Sequence, residues 1–324
     1  MGLNTQLHIL FLDEVHPYLE EKLTDLGCIC HHDYTSSTQE ITEKAKAYQG
    51  IIIRSRIPMN AQFLNANPHL KFIGRSGSGM ENIDLDVAKS HNITCFSAPE
   101  ANKNAVAEHA LGMLLSLFNR LNQGDLDIRN GNWQRELHRG QEIQGKTIGL
   151  IGYGNNGSAF AEKLRSFGCT ILAYDKYKTG FGNDFVTEVS LEELQKRANI
   201  LSLHIPQNEE TIYMVNKEFI KKFSNPFFLI NTSRGKLVDT QALVHSLKDH
   251  HILGACLDVL EYEKSSFSKL FDADNCPPAF EYLLNSDKVI LSPHVAGWTV
   301  ESYLRLSKVL AKKITQYVST IKEN

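Results

Sequence analysis

The sequence predicts an α/β protein made of two doubly wound, parallel-sheet domains. Three observations carry this. Short apolar runs recur along the chain without strict polar alternation, as suits strands covered on both faces. Helix-patterned segments lie between them, and such alternation builds parallel sheets. The chain has 324 residues, more than one ordinary core of about 100 to 200 residues holds.

The elements follow in order. LHILFL, CICHH, GIIIRS, KFIGRSGSG and ITCFSA read as strands of a first set, with VHPYLEEKLTDLG, TQEITEKAKAYQ and NIDLDVAKSHN as helices between them. NAVAEHALGMLLSLFNRLNQ (104–123) is apolar on much of its circumference and reads as one long helix connecting the two sets. TIGLIGYG, TILAYD, NILSLHIP, PFFLINTS, ILGACLDV and KVILSPH form a second set of strands, with helices at 155–167, 191–196, 216–223 and 240–248. The stretch 299–320 is helical in pattern and no strand follows it, so it is expected to cross back onto the first domain.

Composition narrows the function classes. The chain is 42% hydrophobic and 22% charged, as in globular proteins, and its net charge is -3. No basic surplus exists to attract a phosphate backbone, which argues against a nucleic-acid partner. No segment approaches about 18 consecutive apolar residues and no signal-peptide pattern opens the chain, so no membrane partner and a cytoplasmic location are expected. The scattered cysteines read as small buried hydrophobes in a reducing compartment, and no metal site is expected. CICHH (28–32) has no second Cys/His pair at zinc-like spacing.

The strongest motif is TIGLIGYGNNGSAFAEKLRSFGCTILAYD. Gly152, Gly154 and Gly157 form G-x-G-x-x-G after an apolar strand and at the opening of a helix, and Asp175 ends the next strand. This context predicts a dinucleotide-binding domain, with the pyrophosphate at the helix start. Asp175 can accept hydrogen bonds from a ribose 2′-hydroxyl and would repel a 2′-phosphate, which favours NAD over NADP, although Lys176 and Lys178 blunt the repulsion. GQEIQGKT (140–147) matches the phosphate-loop spacing, but no strand precedes it and no helix follows, so the match is read as chance.

Other candidates stand at strand ends. GRSGSG (74–79), which carries Arg75, is a glycine-rich turn that either holds an anion or is an ordinary tight turn with solvated arginines. Arg54 and Arg56 end the neighbouring strand and could surround an acidic substrate. Arg234 follows FFLINTS, Asp258 lies in ACLDVLEYE with Glu263 just beyond, and His294 follows VILSP. Ligands of open parallel sheets bind beyond the carboxyl ends of the strands, so Arg234, Glu263 and His294 together on one sheet point to a reaction site.

GYGNNG with Asp175, HIP (204–206), NTSRGKLVD, LDVLEYE and SPHVAGWT together resemble the D-2-hydroxyacid dehydrogenase family over essentially the whole chain. The resemblance implies a discontinuous substrate domain (1–98 and 299–324) with an NAD-binding Rossmann domain (99–298) inserted. It implies catalytic Arg234, Glu263 and His294, with Asp258 holding the nicotinamide carboxamide. It implies cofactor contacts at Gly152, Tyr153, Gly154, Asn155, Asn156, Gly157, Asp175, His204, Pro206, Thr232, Asp258, Ala296 and Gly297. A homodimer joined through 104–145 is implied as well.

Within the family, IIIRSR, GRSGSGMENIDLD and APEANKNAVAEHA resemble D-3-phosphoglycerate dehydrogenases, which act in serine biosynthesis. That likeness implies substrate contacts at Arg54, Ser55, Arg75, Ser78, Gly79 and Asn102. Hydroxypyruvate or glyoxylate reduction is the alternative, and an NAD(H)-sensing, corepressor-like binding protein is the reading of another class. Two departures bear on the substrate. Lys264 stands where the family often has proline, and an unusually long segment at 264–287, with Trp298, could reshape the pocket.

Overall fold

A computed structural model describes residues 6–263 and 276–323. The chain forms two compact units, one of residues 1–102 and 298–324 and the other of residues 103–297.

The first unit is a five-stranded parallel sheet. Its strands are β1 (His8–Phe11), β2 (Ile29–His32), β3 (Gly50–Ile53), β4 (Phe72–Arg75) and β5 (Thr94–Phe96), in the order β2-β1-β3-β4-β5. β3 is buried along its whole length, so the apolar run GIII is a central strand. The order reverses between β1 and β3, and there the Arg54 N–H donates to Asp13 Oδ2 at 2.6 Å. Apolar side chains cover both faces. One cover includes the helix Tyr18–Asp25 and the terminal helix Val300–Glu323, whose Leu310, Ile314 and Val318 are fully buried with Leu19, Leu23 and Phe72. The terminal helix therefore returns to the first unit, as the lone helical pattern predicts.

The second unit is a seven-stranded parallel sheet. Its strands are β6 (Thr147–Ile151), β7 (Thr170–Tyr174), β8 (Thr187–Glu188), β9 (Ile200–Leu203), β10 (Phe227–Asn231), β11 (Ile252–Leu257) and β12 (Val289–Leu291), ordered β12-β11-β10-β9-β6-β7-β8. β9 and β10 are buried throughout. Local chemistry starts the helices: the side chains of Ser190, Asn216 and Asp239 accept from the N–H groups at the openings of Leu191–Arg197, Lys217–Ile220 and Thr240–Lys248.

The structure corrects several details. The expected long helix is two, Lys103–Phe118 and Leu121–Arg129, because Arg120 between them takes a left-handed conformation with φ 52°. The first of these packs against the helix Asn155–Leu164 and belongs to the second unit. β8 and the six-residue helix Ala61–Ala66 are too short to show a period, so patterning does not reveal them. Thr147 opens β6 directly after Gly145 and Lys146, so GQEIQGKT runs into a strand and not the helix a phosphate loop needs. Of the long 264–287 segment, residues 264–275, Lys264 included, lie outside the described residues, and Pro278–Asn285 is helical.

Candidate active site

The glycine turn after β6 is built on backbone constraints. Gly152 has φ +93°, a conformation that L side chains rarely adopt, and a Cβ there would run into the His204 carbonyl. A Cβ on Gly157 would run into the Gly152 carbonyl, while one on Gly154 would meet nothing within 4 Å. No side chain caps the helix Asn155–Leu164, so its first N–H groups are presented to an anion. The turn lies where strand order reverses, β6 having β9 on one side and β7 on the other. These residues fit the pyrophosphate of a dinucleotide.

Asp175, at the exit of β7, accepts N–H groups from Tyr153 at 2.8 Å, Tyr177 at 2.9 Å and Lys178 at 3.1 Å. Partial burial opposes ionisation, but these donors and the Lys178 charge hold its carboxyl below the usual range. The Tyr153 ring stacks on Phe181 with centroids 4.6 Å apart. Among the described residues the buried Thr232 Oγ1, Asn156 Oδ1 and His204 Nδ1 have no hydrogen-bond partner. Buried orphans of this kind are groups a ligand can satisfy. His204 Nε2 meets Ser202 Oγ at 2.9 Å, and burial pushes its pKa down to about 4, so the ring is neutral. The Pro206 carbonyl accepts from the Thr211 hydroxyl at 2.8 Å.

The three neighbouring strands β10, β11 and β12 lead to the side chains that the sequence predicts to be catalytic. At the end of β10, Asn231 Nδ2 donates to the Arg234 carbonyl at 2.9 Å, and just beyond it Ser233 Oγ donates to the Leu203 carbonyl at 2.7 Å. Half-buried Arg234 donates through Nη1 to the Ser233 carbonyl at 2.7 Å. Gly235 follows because a Cβ there would run into the Leu260 carbonyl, on the segment that carries Glu263. Beyond β12, His294 Nδ1 lies 3.1 Å from Glu263 Oε2. His294 has φ +56°, a costly conformation for a residue with a side chain.

Asp258 organises that turn. It is 1% exposed. Its Oδ1 accepts from Ser292 Oγ at 2.6 Å and Val295 N–H at 2.9 Å, and its Oδ2 from Ala296 N–H at 2.8 Å. Its carbonyl accepts the His294 N–H at 2.7 Å. Burial works against ionisation, yet His109, Ser292 and the two N–H groups hold the carboxyl below its ordinary value.

In the first unit, the Arg54 guanidinium lies 4.0 Å from the Trp298 ring centroid and forms no ion pair among the described residues. Burial is the main cause that lowers its pKa. Arg75 Nε donates to the Arg54 carbonyl at 3.1 Å, and Ser78 Oγ donates to Asn102 Oδ1 at 2.7 Å. Ser55 and Gly79 lie in the same two turns. Arg56 corrects an expectation. Its guanidinium donates to the carbonyls of Leu12, Ser36 and Asp33 at 2.9, 2.6 and 2.7 Å, so it ties loops together and does not face an acidic ligand. Sequence patterning does not single out His109, although a histidine in so apolar a helix is itself a signal. Among the described residues no three metal-ligating side chains gather, and no helix is long and apolar enough to cross a membrane.

Residues 111–296 match the family model of the D-isomer specific 2-hydroxyacid dehydrogenase NAD-binding domain. The chain belongs to that family. Its inserted domain is thus an NAD-binding domain, as the glycine turn predicts. The chain is 34% identical to a hydroxypyruvate reductase of Thermotoga maritima over 268 residues, 82% of this chain and 83% of the relative. It is 31% identical to the D-3-phosphoglycerate dehydrogenase of Bacillus subtilis over 277 residues, 85% of this chain and 50% of the relative. It spans about half the length of the D-3-phosphoglycerate dehydrogenases it matches. Among solved structures, D-lactate dehydrogenase from Aquifex aeolicus complexed with NAD and lactic acid superposes with a TM-score of 0.82 at 29% identity, covering 97% of this chain and 96% of that one.

Proposed function

We propose that the protein is an NAD-dependent oxidoreductase acting between a D-2-hydroxy acid and its 2-keto acid, with D-3-phosphoglycerate and 3-phosphohydroxypyruvate as the substrate pair. The observation that carries the reaction is the His294–Glu263 contact of 3.1 Å at strand exits of the sheet that holds the dinucleotide turn. When bound, the nicotinamide supplies or takes up the hydride. Glu263 accepts the His294 Nδ1–H, which orients the ring and makes Nε2 the nitrogen that gives the proton to the carbonyl oxygen or removes it in reverse. Arg234 forks onto the substrate carboxylate and polarises the carbonyl. Asp258 adds the nicotinamide carboxamide to the donors it already gathers.

The substrate choice rests on Arg54. A desolvated guanidinium on an aromatic face, with no ion pair among the described residues, suits a second anionic group such as a phosphate. Arg75, Ser55, Ser78, Gly79 and Asn102 supply the remaining polar contacts. The relative named hydroxypyruvate reductase favours the alternative, in which the substrate is hydroxypyruvate or glyoxylate. NADH consumption with 3-phosphohydroxypyruvate, hydroxypyruvate and glyoxylate separates the readings. The highest kcat/KM is expected with 3-phosphohydroxypyruvate. A preference for either smaller acid gives the alternative. NADH binding by fluorescence without turnover of any of the three overturns the enzyme reading in favour of a sensor.

Two wider readings accompany this one. Leu121, Leu126, Ile128, Trp133 and Leu137 are each more than half exposed within the 104–145 region, and a cluster of exposed apolar side chains there supports a homodimer. All six cysteines are free thiols, in keeping with a reducing cytoplasm.

A further inference from the structure

His109 has no task in the reaction as described, yet it reaches the group that shapes the His294 turn. It projects from the helix Lys103–Phe118, and its Nε2 lies 2.9 Å from Ser292 Oγ and 3.5 Å from Asp258 Oδ1. Ser292 donates its hydroxyl to Asp258 Oδ1 at 2.6 Å. A hydroxyl has one proton to give. With that proton committed to the carboxylate, Ser292 can only accept from the imidazole, so His109 Nε2 carries a proton. The relay runs from His109 to Ser292 to Asp258.

Its far end is the strained turn. Asp258 receives donors from Ser292, Val295 and Ala296, on both sides of His294, and takes the His294 N–H on its own carbonyl. A buried carboxylate is tolerated only when such donors satisfy it. If Asp258 rotates or protonates, the turn loses the contacts that keep His294 at φ +56° and with them the aim of its ring at Glu263.

We propose that His109 is a positioning residue. By donating to Ser292 and lying beside Asp258, it keeps the carboxylate charged and oriented, and so holds the 292–296 turn that presents His294. This rests on His294 as the proton-transferring group. Histidine suits the place because it combines a directed N–H with a ring that a largely apolar helix can carry.

The test uses the full chain labelled with ring-15N histidine, as wild type, His109→Gln and His109→Leu. Glutamine retains an N–H donor and leucine does not. Long-range 1H–15N spectra at pH 8 are expected to show His109 protonated at Nε2, its signal identified by loss in the variants. The His294 ring signals, identified through His294→Asn, should move in His109→Leu and return toward wild type in His109→Gln. In steady-state kinetics, His109→Leu should lose kcat by roughly 10- to 100-fold, the scale for a displaced catalytic group. KM for the keto acid should stay within about twofold of wild type, and His109→Gln should restore most of kcat. If His109→Leu does not fold, Ser292→Ala breaks the same relay and takes its place. An Nδ1-protonated His109, unmoved His294 signals, or equal losses in the leucine and glutamine variants would each overturn the proposal. A wild-type protein that turns over no keto acid sinks the reaction reading alone, because the spectra still decide whether the relay positions His294.

Discussion

Arg234 shows how one side chain is aimed. The buried strand β10 ends at Asn231, whose Nδ2 holds the Arg234 carbonyl, and Ser233 just beyond ties the turn to the Leu203 carbonyl of β9. Lysine keeps the charge but loses the planar fork. Arg234→Lys is expected to lower kcat/KM by roughly 100-fold or more, the scale for removing an oriented charge-stabilising donor. NADH affinity should hold if, as proposed, the glycine turn and Asp175 carry it. Unchanged turnover in a variant that binds NADH normally would make the arginine structural. Arg54 offers a second test at this scale. Arg54→Ala should raise KM for 3-phosphohydroxypyruvate far more than for glyoxylate, because a charge-assisted hydrogen bond contributes roughly 1.5 to 3 kcal/mol. Equal effects on both acids would remove the phosphate from the proposal.

At the scale of elements, the β6 turn and the helix Asn155–Leu164 work as one device. The helix approaches so closely that Gly157 has no room for a Cβ beside the Gly152 carbonyl. Gly157→Ala must push the helix start away from the strand. Such overpacking costs about 1 to 3 kcal/mol, and the same displacement moves the N–H groups proposed to meet the pyrophosphate. Urea unfolding and NADH titration should therefore both report a loss. Gly154→Ala, with open space at its Cβ, should leave stability nearly unchanged while weakening NADH binding. Equal stability losses in the two variants would contradict this division of labour.

Across the whole molecule, pH response follows from the half-buried histidine at the reversal of strand order. His204 is neutral in the folded chain because burial lowers its pKa from 6.5 to about 4. The unfolded chain takes up the proton more readily, so this contribution to stability is complete above pH 6.5 and is lost as pH falls from there to about 4. The loss amounts to roughly 3 kcal/mol at most, because lowering a pKa by one corresponds to about 1.4 kcal/mol. Asp175 and Asp258, whose carboxyls are held below their ordinary values, extend the decline at still lower pH. Urea midpoints measured between pH 7.5 and 4.5 should fall more steeply for the wild type than for His204→Gln. Parallel slopes would mean that His204 is already charged in the fold or that its site opens to water.

The sequence by itself determined the fold class, the glycine turn with Asp175, and the three side chains at strand exits. Each is a local pattern: an apolar run closed by a polar residue, or glycines at fixed offsets from a strand. Local patterns also announced the terminal helix, although only packing shows Leu310, Ile314 and Val318 buried in the first unit. Tertiary structure alone decided what depends on partners distant in sequence. Arg54 and Arg56 look alike in IIIRSR, yet one lies over Trp298 and the other is committed to three backbone carbonyls. Arg120 breaks a helix that apolar periodicity would continue, through a left-handed backbone that a side-chain pattern does not encode. His109 meets Ser292 across 183 positions of chain, and no spacing rule connects them. Periodicity reports which face of an element is buried, but the partner waiting there is chosen by the packing of the whole sheet.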